Sequence, residues 1–317
     1  MKRLYNITYS LLAATLLLST QSCIKEDMSD CPSDIRVYFN YVEGSYASAK
    51  EGINPSDVSQ INLYVFNADG KFLSEHVDPA PKMSKDYFIT VPGLETGSYQ
   101  FIAWGGLDSE LYNLSEPLVP GQTLLSDVQL HLQSIQNDTI KAALAPLFHA
   151  AHRKGVIDVK KGISVKDTLN LTQDTYKINV TVDGIKANGD NYLLSVEDNN
   201  GRYRFDNSIA SQTKFNYISP CTEINNGAKL TSSVTVLRLL ENRSPILRVF
   251  NETKGTIAFE KNLVELLMLI NTVGGKIDFS YMHEFDIELI ARNGVELSFD
   301  VIINGWRVIE NGSGLGS

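Results

Sequence analysis

The sequence predicts an all-β protein made of two β-sandwich domains in tandem, with a short helical crossover in the second domain. Three observations support this fold. Apolar and polar residues alternate with a period of two in many short runs, a pattern that buries one strand face and leaves the other in water. Turn residues such as Asp-Gly and Asn-Gly separate these runs at the short spacing typical of sandwich proteins. The chain has 317 residues, and soluble domains commonly have ~100–200 residues, so two domains are expected.

Residues 1–22 have the pattern of a lipoprotein signal peptide. Lys2 and Arg3 precede an apolar run at residues 11–18, small and polar residues follow, and Cys23 comes next. The run is about half of the ~20 residues that a membrane-spanning helix needs, which favours a cleaved signal peptide. A cysteine at this place is typical of bacterial lipoproteins, in which signal peptidase II cuts before the cysteine and the thiol carries a diacylglycerol. We therefore expect Cys23 to be the lipid attachment site.

Residues 23–33 are predicted to form an acidic tether between the lipid and the folded domains. After Cys23 the chain reads Ile-Lys-Glu-Asp-Met-Ser-Asp, which is polar and acidic. A lysine followed by two acidic residues resembles the lipoprotein export signal of Bacteroidia-type bacteria, which predicts a protein carried to the outside of the outer membrane. Thr20 stands where lipoprotein signals usually have leucine, so an ordinary secretory signal peptide is the alternative.

The charge of the chain excludes two classes of partner. Loss of Lys2 and Arg3 with the signal peptide takes the formal charge from −9 to −11. An acidic chain without a basic stripe is a poor binder of nucleic acid. It has no electrostatic attraction to an anionic membrane either, so the lipid would have to supply the attachment. Hydrophobic residues make up 43% and charged residues 21% of the chain, as in ordinary globular proteins.

The sequence contains three cysteines, Cys23, Cys31 and Cys221. With Cys23 lipidated, the other two remain, and exported proteins live where disulfides persist. A bond between Cys31 and Cys221 would tie the tether to the second domain. The alternative is two separate thiols, because the sequence does not tell whether the two Cα atoms come within the ~4.4–6.8 Å of a disulfide.

Five strands are predicted in a first domain at residues 34–172. Asp69-Gly70 predicts a tight hairpin turn after the second strand, since glycine tolerates a positive φ. Pro92-Gly93 and Gly105-Gly106 are expected to end the third and fourth strands. The strands are predicted at residues 35–41, 61–66, 87–91, 98–104 and 128–132. A polar, Lys-rich run at residues 152–167 and a strand-like stretch at 168–171 close the domain.

The pattern begins again in a second domain at residues 173–317. Strands are predicted at residues 176–182, 191–196, 202–206, 233–240, 246–250, 255–259, 285–289, 295–301 and 306–308. Residues 260–270 break the alternation, because their leucine and isoleucine side chains recur at steps of three and four, which predicts a short amphipathic helix. Asn304-Gly305 predicts a turn before the last strand.

We expect no catalytic residue, no metal, no cofactor and no small-molecule substrate. The G-x-S-x-G, H-E-x-x-H and P-loop motifs do not occur in the sequence. His149 and His152 have an H-x-x-H spacing, but a metal at this spacing needs a helical turn and further ligands, and the segment looks like a loop entering a strand. Glu284 and Asp286 share a strand face, which would suit glycoside chemistry only in a cleft. A solvated strand face is the simpler interpretation.

Three aromatic residues of the fourth strand are a candidate sugar-stacking platform. Tyr99 and Phe101 share one face of this strand, whereas Trp104 falls on the other. Such a split fits a core strand that ends at a rim better than it fits a binding plate. Two tryptophans in the whole chain are also few for a dedicated carbohydrate binder.

An ordered set of short motifs spans the mature chain. The set consists of Cys23 with its acidic tether and Cys31-Pro32, residues 61–72 (INLYVFNADGKF), the Pro92-Gly93 turn before residues 97–106 (GSYQFIAWGG), Leu147-Phe148-His149, and Ile303-Asn304-Gly305-Trp306. With these motifs the chain resembles the FimB-like family of fimbrial anchor lipoproteins, the minor subunits of type V pili in Bacteroidia-type bacteria. The resemblance implies that the two sandwich domains are transthyretin-like.

The resemblance also implies a function. It predicts a non-enzymatic protein that anchors or caps a fimbria at the cell outer membrane, exposed at the surface as part of a fimbrium. The expected partners are a fimbrial stalk or accessory subunit, joined by strand addition, and the outer membrane, joined through the lipid on Cys23. The short Gly/Ser-rich tail at residues 309–317 makes a poor donor strand, which favours a terminal subunit. The alternative is a stand-alone surface lipoprotein that binds glycan or host protein.

Overall fold

The computed structural model describes residues 33–41, 53–133, 138–141, 143–152, 156–160, 163–210, 213–292 and 298–309. Within these ranges the protein consists mainly of β-strands. Its helical parts there are a 3₁₀ turn, Pro55–Asp57, and one short α-helix, α1 (Leu263–Met268), which continues as a 3₁₀ segment, Leu269–Val273. The predicted all-β fold is confirmed.

Eleven strands lie before residue 174 in the described part of the chain. They are β1 (Ser33–Asn40), β2 (Ile61–Asn67), β3 (Phe72–Asp78), β4 (Phe88–Leu94), β5 (Gly97–Gly105), β6 (Tyr112–Leu114), β7 (Gln129–Leu132), β8 (Thr139–Ile140), β9 (Phe148–Ala151), β10 (Ile157–Val159) and β11 (Val165–Gln173). Eight of them form the first sheet, in the order β3-β2-β5-β9-β11-β1-β4 with β10 paired to β5. In this sheet β1 and β11 run parallel, and β1 and β4 run antiparallel.

The first sheet curves around its own apolar core. Its two edge strands, β3 and β4, come within contact distance of each other. Alternate residues of β1, β2, β5 and β11 point inward and are buried, among them Val37, Leu63, Phe101 and Leu169. Burial of apolar surface contributes roughly 25 cal/mol for each Å², so this core stabilises the first sheet.

The described strands after residue 174 form a sandwich. They are β12 (Thr175–Asp183), β13 (Tyr192–Asp198), β14 (Arg202–Arg204), β15 (Phe215–Pro220), β16 (Thr222–Ile224), β17 (Lys229–Leu237), β18 (Ile246–Asn251), β19 (Thr256–Asn262), β20 (Glu284–Arg292), β21 (Ser298–Ile303) and β22 (Trp306–Ile309). One sheet has the order β16-β17-β12-β20-β21-β22, and the other has the order β19-β18-β13-β15-β8. Their inner faces bury residues such as Ile178, Leu194 and Leu289.

Short strands of each domain pair with strands of the other domain across the junction. β8 joins the second domain by pairing with β15, and β14 of the second domain pairs with β7 in a small sheet, β14-β7-β6. Phe205, just after β14, covers the outer face of β2 and β5. Its ring lies 5.2, 5.8 and 6.5 Å from the rings of Tyr64, Phe66 and Trp104. Because one apolar core continues through the junction, we expect the two domains to move as a unit.

The helix begins three residues later than the sequence predicts. Residues 260–262 belong to β19, whose pairing with β18 extends to Asn262. The side-chain oxygen of Asn262 then accepts a hydrogen bond from the backbone N–H of Glu265 (3.2 Å), which caps the helix. The spacing of the leucines predicts the helix, but it does not show that pairing with β18 extends β19 to residue 262. The predicted start at residue 260 is therefore wrong.

Two further predictions in the first domain are wrong. Pro92-Gly93 does not end a strand, because β4 continues through it to Leu94. β4 is an edge strand, so the missing N–H of Pro92 removes no hydrogen bond to a neighbouring strand. The register with β1 shifts between Ser33 and Ile35, opposite Pro92-Gly93. The segment around the H-x-x-H spacing is not a loop, since β9 occupies most of it, between β5 and β11.

Candidate subunit-docking edges

The first described residue marks the end of the molecule at which the tether enters. Ser33 begins β1, ten residues after Cys23. β1 runs parallel to β11, with Ile35 beside Val165, and β11 leads through Asp174 into β12 of the second domain. Ser33 therefore lies at the end of the first domain that is remote from the second domain.

Two of the predicted site residues, Cys23 and Cys31, lie outside the described residues. The lipid attachment site and the bond between Cys31 and Cys221 therefore stay predictions. Cys221 lies between β15 and β16 in the second domain, and its backbone N–H donates to the carbonyl of Tyr192 (2.8 Å). Burial raises the pKa of the Cys221 thiol to about 11. As a thiol it would be almost wholly protonated at neutral pH and slow to react.

Strand addition needs a sheet edge whose backbone groups lack a neighbouring strand. In the described part of the second domain the edges are β16 and β22 in one sheet and β19 and β8 in the other. β8 has two residues and β16 has three, so each offers a very short ladder. β19 and β22 lie on the same side of the sandwich, because Phe259 of β19 packs edge-to-face on Phe299 of β21, with ring centroids 5.4 Å apart.

β19 is the longest edge strand of the second domain as described. It has seven residues and, within the described ranges, it pairs only with β18. Its charged residues, Glu260 and Lys261, stand near its end, whereas residues 256–259 are uncharged. Ile257 has 54% of its surface exposed. Charges protect an edge against pairing, so the uncharged half around Ile257 is the part of β19 most open to another strand.

β22 offers a shorter and partly covered edge. It has four residues, and the 3₁₀ segment after α1 lies against it. Arg307 on this strand donates to the carboxylate of Asp300 on β21 (3.0 Å). Trp306 and Val273 are exposed at 43% and 38%. These residues provide an apolar flank on the same side of the sandwich as β19, rather than a long ladder of their own.

The edges of the first domain are less suited to a partner strand. β3 and β4 lie close to each other, and the hydroxyl of Tyr87, just before β4, donates to the carboxylate of Asp78 at the end of β3 (2.9 Å). β3 also carries the charged residue Glu75, and β4 contains Pro92, which cannot donate a backbone hydrogen bond. The second domain therefore presents the better docking edge.

His149 of β9 connects the first domain to the second. Its Nε2 lies 2.9 Å from the carbonyl oxygen of Phe205, and because a carbonyl can only accept, Nε2 carries the hydrogen. The imidazole ring centroid is 4.8 Å from the ring of Trp104. Burial lowers the pKa of His149 to about 4, so the neutral ring is the form that fits this junction.

Asp174 stands where the first sheet ends and the second begins. Its backbone N–H donates to the carbonyl of Leu147 (2.7 Å), and its carboxylate accepts from the amide of Asn207 (3.1 Å). Burial raises the pKa of Asp174 to about 6, which outweighs the opposite effect of Arg238, whose Nε lies 3.8 Å away. Buried polar contacts therefore hold the junction together with the apolar core.

The structure does not assemble the other sequence candidates into a reactive site. His152 pairs with Asp167 (3.1 Å), while Glu284 and Asp286 both accept from the amide of Asn179 (2.7 and 2.8 Å) on the outer face of the sheet. Among the residues that the structure describes, no three His, Cys, Asp or Glu side chains are placed to hold a metal ion. No helix in the described ranges combines the length and the apolar character needed to cross a membrane.

The three aromatic residues of β5 are all buried. Tyr99 and Phe101 belong to the core of the first domain, whereas Trp104 faces the junction core, so the predicted split between the two faces is confirmed. Sequence reasoning missed two aromatic rings on the solvent face of another part of the same sheet, the half-buried ring of Tyr38 and the exposed ring of Phe88. The sequence signal for Tyr38 is its position among the polar residues of the alternation in β1, on the same strand face as Arg36.

Comparisons with known proteins give matches over most of the chain. The profile of a family described as fimbrillin-A associated anchor proteins Mfa1 and Mfa2 matches residues 28–312. The minor fimbrium anchoring subunit Mfa2 of Porphyromonas gingivalis is 26% identical over 307 residues, which cover 92% of this chain and 90% of that protein.

Solved structures show the same fold. The fimbrial anchor protein Mfa2 from Porphyromonas gingivalis superposes with a TM-score of 0.73 at 24% identity, over 88% of this chain and 99% of the other. A protein of the DUF1812 group from Bacteroides thetaiotaomicron superposes with a TM-score of 0.73 at 20% identity, over 90% of this chain and all of the other (100%).

Proposed function

The chain belongs to the family of fimbrillin-A associated anchor proteins, and from this membership we propose that it is a non-enzymatic lipoprotein that holds one end of a fimbria at the outer membrane. The observation that carries the proposal is the family match over residues 28–312. The family gives the role of a fimbrial subunit. The lipid on Cys23, the position at the outer membrane and the docking by strand addition are the proposed details.

The proposed lipid would place the first domain nearest to the membrane. Ser33 is ten residue steps from Cys23, and an extended chain spans at most ~3.3–3.6 Å per residue, so the tether reaches about 35 Å. Because Ser33 lies at the end remote from the second domain, the second domain points away from the membrane. One acyl chain anchors weakly, whereas the bacterial modification supplies more than one and makes the attachment stable.

The proposed docking edge for the stalk subunit is β19. A donor strand that adds to β19 would extend the five-stranded sheet of the second domain by one strand. The uncharged half of β19 and the exposed side chain of Ile257 support this choice over β22 and β16. The C-terminal tail beyond Ile309 lies outside the described residues, so its exclusion as a donor strand stays a prediction, and deletion of residues 312–317 is expected to leave the fimbria attached.

Replacement of Ile257 by lysine tests the docking edge. The side chain is exposed, so the fold is expected to persist, while a charge on the edge opposes strand addition. Strand-exchanged fimbrial subunits usually resist detergent until they are heated. In immunoblots of outer membranes from the native host, the unaltered protein is expected to give high-mass bands before boiling and a monomer after boiling. I257K is expected to give the monomer in both lanes.

Ile224→Lys is the matched control, because Ile224 is an exposed isoleucine on β16, at the opposite edge of the second domain. This variant is expected to keep the high-mass bands. Loss of the bands in I224K but not in I257K would move the docking edge to β16. A monomer in both lanes for the unaltered protein would contradict the anchor proposal itself and favour a stand-alone binding lipoprotein.

A further inference from the structure

The solvent face of β4, β1 and β11 carries two aromatic rings and two cations, Phe88, Tyr38, Arg36 and Lys166. We call this surface the aromatic–cation face. In the strand register Tyr38 stands beside Phe88, and Arg36 stands beside Lys166. The two ring centroids are 5.3 Å apart. The guanidinium carbon of Arg36 lies 5.0 Å from the ring centroid of Phe88, and Nζ of Lys166 lies 5.8 Å from that of Tyr38.

The two cations of this face have no carboxylate partner among the described residues. The outer face of the second domain is built differently. There Lys229 lies 2.9 Å from the carboxylate of Asp183 and 3.2 Å from that of Glu288. Cation–π contacts place Arg36 and Lys166 without neutralising their charge. Asp34, two residues before Arg36 on the same face of β1, is exposed as well. In a chain of formal charge −9, the aromatic–cation face therefore has two cations against one carboxylate and is a local positive area.

Polar groups and a cavity continue this surface toward the end of β1. The amide of Asn40 donates to the side-chain oxygen of Asn170 (3.1 Å), and the two residues extend the rows that contain Arg36 and Lys166. An open cavity of about 560 Å³ adjoins the rings. It is lined by Tyr38, Phe39, Asn40, Tyr41, Lys85 and Thr168. A few polar groups that converge beside aromatic side chains are typical of a small-ligand or sugar site.

We propose that the aromatic–cation face binds an acidic polysaccharide. The sugar rings would pack against the surface of Phe88 and Tyr38 that Arg36 and Lys166 leave uncovered, while carboxylate groups on the polysaccharide would pair with the two cations. Charge complementarity selects an anionic ligand. The two adjacent rings, inclined at 45° to each other, offer apolar surface to sugar rings, and a sheet face offers no backbone edge for an added strand. This binding is a function beyond fimbrial docking at β19, which lies in the other domain.

The test measures the binding of the full-length lipidated protein, in detergent micelles, to immobilised polygalacturonate and to uncharged dextran. The unaltered protein is expected to bind polygalacturonate at least about tenfold more tightly than dextran. The double variant R36Q/K166Q is expected to lose at least about tenfold in affinity for polygalacturonate. F88A is expected to weaken binding as well, because it removes one ring and the support of Arg36. Equal binding of the two polysaccharides, or full binding by R36Q/K166Q, would overturn the proposal.

Two controls separate this site from a general effect of charge. The variant K141Q/K186Q makes the same change in net charge at two exposed lysines elsewhere, and it is expected to bind as the unaltered protein does. Polyglutamate carries carboxylates without sugar rings, and it is expected to compete poorly. If K141Q/K186Q lost as much affinity as R36Q/K166Q, the effect would be one of net charge and the site would be wrong. If polyglutamate competed as well as polygalacturonate, the ligand would be an acidic protein segment instead.

Discussion

The side chain of His149 contacts residues of both domains. Its ring packs on Trp104 and donates to the carbonyl of Phe205, and burial lowers its pKa from 6.5 to about 4. When the pKa of a histidine is lower in the folded than in the unfolded protein, protonation favours the unfolded state. The protein then loses stability as the pH falls from the pKa of the unfolded state toward the pKa of the folded state. At one pKa unit per ~1.4 kcal/mol, the loss from His149 reaches about 3 kcal/mol at pH 4.

Replacement of His149 by glutamine removes this titration and keeps an N–H group that can reach Phe205. At pH 7.5 the variant is expected to be less stable by about 1–2 kcal/mol, because packing against Trp104 is lost. Between pH 7.5 and pH 5, however, it should lose about 2 kcal/mol less than the unaltered protein does. Urea unfolding at the two pH values measures both effects.

Two other buried groups titrate in the same range and are unchanged in the His149→Gln variant. Burial lowers the pKa of His283 to about 4, so His283 also destabilises the fold in acid. Burial raises the pKa of Asp174 to about 6, so Asp174 has the opposite sign: its contribution to stability is lost as the pH rises toward 6. The comparison of the two proteins cancels both contributions. An identical pH dependence in the two proteins would contradict the role given to His149.

At two places, the boundary between β19 and α1 and the end of β4, a neighbouring strand or its absence determines where the element ends. The alternation in β19 and the leucine spacing of α1 overlap at residues 260–262, and both patterns are compatible with the sequence there. Pairing with β18 assigns these residues to β19, and the cap by Asn262 then begins the helix. The same reasoning applies to β4, where the position at a sheet edge lets the strand continue through Pro92-Gly93.

Replacement of Asn262 by alanine tests the helix start. Loss of the cap on the N–H of Glu265 is expected to lower the free energy of unfolding by about 1 kcal/mol. Asn262→Asp is the matched control, because a carboxylate can accept the same hydrogen bond and is expected to keep most of the stability. Chemical denaturation of the three proteins measures the difference, and equal losses in N262A and N262D would count against the cap.

The whole molecule is expected to stand with its first domain toward the membrane and its second domain outward. This orientation depends on the lipid at Cys23, on the place of Ser33 at the far end of β1, and on a junction that shares one core. The formal charge is −9 and would be −11 after removal of the predicted signal peptide, so we expect no electrostatic attraction to an anionic membrane beside the proposed lipid.

Labelling of cells with radioactive palmitate tests the attachment site. The unaltered protein is expected to incorporate the label, and Cys23→Ser is expected to abolish incorporation because the acceptor thiol is gone. Cys31→Ser should be labelled like the unaltered protein, since it removes a nearby cysteine but leaves the acceptor. Labelling of the Cys23→Ser protein would contradict the lipid attachment site and favour an ordinary secretory signal peptide.

The sequence by itself determined the all-β class, the places of most strands and turns, and the split of Tyr99 and Phe101 from Trp104. These features depend on periodicity and turn residues within a few positions of each other, which local patterns record directly. Only the tertiary structure decided that β1 lies beside β11, that β8 and β14 cross the junction, and that β19 is an open edge. It also placed the rings of Tyr38 and Phe88 together with Lys166. Those features depend on pairings between distant segments, such as Asn40 with Asn170 across 130 residues, and the alternation of a strand tells which face is buried but not which strand lies beside it.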